Sequence, residues 1–211
     1  MRTSIESLKI AGSAVALLGA VALGGCGGAA SDENIGTESS ALSSKHAPTL
    51  PDPALAVPAG NRLAFRWDAI GVQIYACSAV GAGYGWVFKA PEANLFGRHG
   101  HVAGKHYAGP TWEANDGSTV VAAKVAGTTP DATAIPWLLL GAVSHAGDGR
   151  MTEITFVQRL ETAGGLAPAS GCDATSLGSL SRVPYTATYF FSAAQPAPGH
   201  HDDGDDDGDD D

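Results

Sequence analysis

The chain has 211 residues and a formal net charge of −10, room for one ordinary domain plus appendages. Eight of the negatives are Asp202, Asp203, Asp205, Asp206, Asp207, Asp209, Asp210 and Asp211, and between Pro53 and Gln195 nine basic residues balance nine acidic ones. The body is therefore neutral, without the basic stripe that phosphate-backbone binding requires, and nucleic acid is excluded as a partner.

In chain order, Arg2 and Lys9 precede the fourteen-residue apolar run Ile10 to Leu23, too short for a spanning helix of about 20 residues, so residues 1–25 read as an export signal. The run ends at Leu23-Gly24-Gly25-Cys26. That string resembles the lipobox of bacterial lipoproteins and implies that Cys26 takes the lipid. The expectation is an exported protein, held in the cell envelope by its acyl chains, and Gly27 after the cysteine favours the outer membrane. Residues 26–57 are rich in Ala, Ser, Gly and Pro without apolar periodicity, the composition of a tether.

A β-rich domain is expected over 58–193. Leu63, Phe65 and Trp67 alternate with Ala64, Arg66 and Asp68, the period of a half-buried strand. Asp68-Ala69-Ile70-Gly71 reads as a turn, and Val72 to Cys77 as a second strand completing a hairpin. Further strands are expected at Tyr84 to Lys89, Val102 to Tyr107, Ser118 to Val125, Ile135 to Val143, Met151 to Leu160 and Tyr185 to Phe191. Pro91 to Phe96 reads as one helical turn. No segment carries a capped amphipathic helix, so the fold expected is all-β, a single antiparallel sandwich or barrel. Residues 194–211 form an acidic tail, which lacks the spacing of a calcium loop.

Cys77 and Cys172 are the remaining cysteines and, in an oxidising compartment, are expected to pair. Arg98 to Ser118 is the densest polar stretch. His99 and His101 share strand parity, His106 does not, and no HExxH or paired CxxC accompanies them, so no metal site is assigned. His106, Tyr107, Trp112 and Glu113 bracket the rigid bend Gly109-Pro110, and this cluster is the candidate ligand-binding surface. Asn115-Asp116-Gly117 reads as a turn. Ser144-His145 reads as a loop pair, outside any G-x-S-x-G elbow.

These pieces together resemble an uncharacterised secreted family of bacteria and fungi, a domain of unknown function. The resemblance is carried by Gly71-Val72-Gln73-Ile74-Tyr75 with Cys77, Ala90-Pro91-Glu92-Ala93 with Leu95, His106 to Glu113, Asp116-Gly117-Ser118, Ile135 to Leu139, Gln158-Arg159, Gly164-Gly165 and Gly171-Cys172-Asp173. One departure is Glu161, where the family pattern has Asn. The resemblance implies a secreted domain and supplies no catalytic residue. Some fungal relatives carry the label malate dehydrogenase, which these residues do not support: Gly81, Gly83 and Gly85 are not G-x-G-x-x-G, and no helix pattern follows. No cofactor is expected. The leading expectation is a non-catalytic domain that binds a small molecule, glycan or cell-wall component. The alternatives are a hydrolase using His106 with Glu113 or Asp116, and a structural surface protein.

Overall fold

The alternation that starts at Leu63 does not stop at Asp68. In the computed structural model, which describes residues 48–196, Asn61–Val80 is one continuous strand, β1, and the expected turn at 68–71 lies in its middle. Trp67, Ala69, Gln73, Tyr75 and Cys77 are all buried and all odd-numbered, so one inward parity runs through the supposed turn. Gly71 is there for a different reason from the one its turn-like neighbours imply. A Cβ at that position would overlap the Glu92 carbonyl and Ala93 of the adjacent strand, so glycine permits the close crossing of two backbones.

β1 is followed by β2 (Gly83–Phe96), β3 (Val102–Tyr107), β4 (Thr111–Ala114), β5 (Thr119–Thr128), β6 (Trp137–Ala146), β7 (Ile154–Gly164) and β8 (Leu180–Ala194). Each strand pairs antiparallel with the next, and β8 pairs with β1, so the sheet closes on itself as an eight-stranded barrel. Of the two architectures expected from sequence, this is the barrel. Pro91 to Phe96 belongs to β2 rather than to a helical turn, and Ser144-His145 belongs to β6 rather than to a loop. β4 was not anticipated as a strand, because four residues are too few to show a period.

Links 97–101, 115–118 and 147–153 gather at one rim, here called the lower. Links 81–82, 108–110, 129–136 and 165–179 gather at the upper. The barrel below its upper end is filled by the apolar side chains of Trp67, Leu95, Trp112, Val120, Ile154, Val157 and Phe191. Cys77, near the upper end of β1, is joined to Cys172 in link 165–179, with the Cα atoms 5.3 Å apart. The Cys77 N–H donates to the Ser179 carbonyl, and the Gly178 N–H to the Cys77 carbonyl, which ties that link to β1.

Two boundaries differ from expectation. Residues 53–55 form a 3₁₀ turn capped by Asp52, and Leu55 is fully buried against Leu139, Leu160 and Phe190 on the outer wall. The Gln158 side-chain amide donates to the Leu55 carbonyl at 2.7 Å. The last part of the supposed tether is thus a packed strap. Cys26, residues 1–47 and residues 197–211 lie outside the described residues.

Glu161 interrupts the β7–β8 register at a bulge and has φ 52°, in the left-handed region. Asn tolerates that conformation far better than Glu, which gives the family pattern its physical reason. Glu161→Asn is expected to stabilise the domain by about 0.5–1 kcal/mol. The Thr188 hydroxyl, which donates to Glu161 at 2.8 Å, keeps Asp68 as an acceptor at 3.1 Å. A urea titration checks this: the midpoint should rise with an unchanged slope, and a fall would mean the Glu161 hydrogen bond outweighs the backbone strain.

Candidate functional site

β3 and β4 are joined by the short link 108–110, and their register sets His106 opposite Trp112. Both point inward. Tyr107 and Glu113, one residue along on each strand, point outward, where the Tyr107 hydroxyl donates to Glu113 Oε2 at 2.9 Å on the exposed face. The wall of the barrel therefore divides the candidate cluster: His106 and Trp112 go to the interior, Tyr107 and Glu113 to the surface. The Tyr107 phenol is raised above its ordinary pKa, first by that hydrogen bond to Glu113.

Inside, the His106 imidazole stacks on the Trp112 indole with centroids 4.4 Å apart, and Tyr189 stands edge-on to both, at 5.1 and 5.4 Å. His106 Nδ1 lies 2.9 Å from the Thr111 carbonyl, which can only accept, so Nδ1 carries the proton and Nε2 is left as an acceptor. Burial holds the imidazole neutral, pushing its pKa down to about 3, with the Arg159 guanidinium a smaller cause in the same direction. Burial likewise raises the Tyr189 phenol.

Above this stack, toward the upper rim, the barrel holds a cavity of about 470 Å³. Phe88, Pro91, Pro110, Ile135, Leu138 and Leu140 give it apolar walls, and the exposed Lys89 and Lys124 stand at its mouth. Gln73, Trp112 and Arg159 supply polar groups. Gln73 is 2% exposed and Trp112 1% exposed, and Gln73 Nε2 and Trp112 Nε1 are buried donors without a hydrogen-bond partner. Leaving such a donor unpaired costs about 1–3 kcal/mol, so most folds avoid it. Arg159 Nε and Nη2 donate to the Pro136 carbonyl at 3.1 and 2.9 Å, fixing the plane of the guanidinium. Gly165 keeps this region open: a Cβ there would meet Gln73, Ile135 and Tyr185 at 2.9 to 3.1 Å.

Gln73, Arg159 and Tyr189 were not singled out from sequence as site residues. The signal for Gln73 and Arg159 was a polar side chain on the core parity of a strand, within the motifs Gly71 to Tyr75 and Gln158-Arg159; Tyr189 lies in neither.

The other candidates lie apart. His99, with φ 67°, and His101 are exposed at the lower rim, so they are not gathered with His106. Asp116 is also at the lower rim, in the turn expected for it. Its carboxylate accepts from the Ser118 hydroxyl, the Ser118 N–H and the Arg150 N–H, and these bonds pull its pKa down to about 2. It binds the β4–β5 turn to the β6–β7 link and is not placed beside His106. A wider depression of about 1100 Å³ opens at that lower rim, where Arg150 lies over the Phe65 ring at 5.0 Å. The two unpartnered buried donors are both at the upper cavity.

A closed up-and-down barrel with a cavity in its mouth is the architecture of proteins that enclose one small ligand. By sequence the chain belongs to the family described as a protein of unknown function (DUF3455), whose model matches residues 58–193. No curated protein and no solved structure matches it.

Proposed function

We propose that the barrel is a non-catalytic binding domain which takes a small molecule into its upper cavity. The observation that carries this reading is the ligand-sized, mostly apolar space itself, lined by Gln73, Trp112 and the half-buried Arg159. A dry core would carry hydrocarbon at these positions; a cavity that takes a ligand has a use for polar side chains in its wall. We further propose that the domain is exported and held in the envelope through lipid on Cys26. The Leu23-Gly24-Gly25-Cys26 string supports this, and the Cys77–Cys172 bond is compatible with an oxidising compartment.

Titration of the full chain with the neutral lipophilic probe N-phenyl-1-naphthylamine tests the binding reading. Saturable one-to-one fluorescence enhancement is expected, and Leu138→Trp, which fills the cavity from its wall, should weaken it at least about tenfold, the equivalent of about 1.4 kcal/mol. No saturable binding, or binding undiminished in a folded Leu138→Trp variant, would overturn it.

A further inference from the structure

The charges around the cavity are one-sided. Lys89, Lys124 and Arg159 line it, and no Asp or Glu does. Arg159 is half-buried, and among the described residues the one ion pair is Arg182 with Glu92 on the outer wall, so Arg159 has no carboxylate partner among them. A guanidinium taken partly out of water without a counter-charge is costly, and its rigid fork is a ready receptor for a planar anion. Two of its five N–H groups are spent on the Pro136 carbonyl, which leaves three.

We propose that the ligand is an amphiphile with a carboxylate head, its oxygens facing Arg159 and its apolar body against Phe88, Pro91, Leu138 and Leu140. This rests on the small-molecule reading above. The cationic groups demand acceptors: a guanidinium only donates, and so do the ammonium groups of Lys89 and Lys124. An ionised carboxylate is acceptor-only, with about four lone-pair sites, and charge-assisted bonds to it are the strongest available. A glycan fits poorly, since its hydroxyls need acceptors along their whole length and most of this wall is hydrocarbon. His106 Nε2 is an acceptor in the buried stack, and it suits a single additional hydroxyl or N–H on the ligand body.

Competition against N-phenyl-1-naphthylamine separates the two readings. Octanoate, octan-1-ol and octylammonium have tails of the same length and differ at the head, where neutral pH leaves one an anion, one neutral and one a cation. In the full chain, octanoate is expected to compete about ten- to hundredfold more tightly than octan-1-ol, the size of a charge-assisted bond, with octylammonium weakest. Arg159→Gln should erase the preference while leaving octan-1-ol unchanged. Should that variant fail to fold, the double variant Lys89→Gln/Lys124→Gln, which touches no structural hydrogen bond, should reduce it several-fold. Equal competition by octan-1-ol and octanoate, or a preference that survives in all the folded variants, overturns the carboxylate assignment while the probe still binds. Failure of the probe itself overturns the small-molecule reading.

Discussion

Replacing both Cys77 and Cys172 with alanine is expected to lower the melting temperature by about 10–20 °C. The two residues are 95 apart in sequence, so the bond removes a large loop from the freedom of the unfolded chain, worth up to about 4.7 kcal/mol in the chain-entropy model. For a domain of this size each kcal/mol shifts the transition by about 3–4 °C. Link 165–179 contains no strand, and it is tied down by few other groups: the Trp86 indole N–H on the Ser170 carbonyl, the Tyr75 hydroxyl on the Gly165 carbonyl, the Gly165 N–H on the Pro184 carbonyl, and the two backbone bonds at Cys77. Calorimetry of the double variant, and of the wild type under reductant, should agree. A shift below about 3 °C in both would show that these bonds hold the link without the disulfide.

Acid is expected to weaken the fold through His106 before it acts through the carboxylates. The unfolded imidazole takes up a proton near pH 6.5, whereas the buried one resists until about 3. Across that window the unfolded state binds more protons, so stability falls as pH falls, by up to about 1.4 kcal/mol per unit from this one group. The contribution is complete above 6.5 and exhausted below about 3. Asp116 acts lower: its depressed pKa stabilises the fold above its ordinary range near 3.8, and that contribution is lost as pH falls toward about 2. Urea midpoints from neutral to mildly acidic pH should fall steeply for the wild type and more gently for His106→Gln, whose side-chain amide can still donate to the Thr111 carbonyl. Parallel slopes would mean that His106 titrates as an exposed histidine does. The same neutrality has a functional side, since Nε2 stays an acceptor at any ordinary pH.

The all-β class, the disulfide and most strands were legible because they depend on local pattern: alternation, turn residues and compartment. The pairing of Asp116 with a turn was legible for the same reason, since an Asx carboxylate bonds amides two residues on. The hairpin expected at Asp68 to Gly71 failed because glycine serves turns and close strand crossings alike, and only the third dimension tells them apart. The unbroken parity from Trp67 to Cys77 was the better guide. It was obscured by inverted amphipathicity: Gln73, which lines the upper cavity, is buried while Ile70 is 59% exposed. The candidate cluster was half legible. His106 and Trp112 reach the interior, but residues adjacent in sequence on a strand face opposite ways, so Tyr107 and Glu113 had to leave the site. Arg159 and Tyr189 come from β7 and β8, more than forty residues beyond the cluster, and closure of the barrel alone brings them to it.

The strap over the outer wall changes where the domain begins as a physical object. The family match opens at Pro58, three residues after Leu55. A chain started there would bare Leu139, Leu160 and Phe190 to water in one strip and leave the Gln158 amide without the Leu55 carbonyl. Such a strip would stick through its side chains. The smallest self-sufficient unit is longer than the shared one. Residues 48–57, however loosely their composition reads, are the cladding over that apolar flank of the barrel.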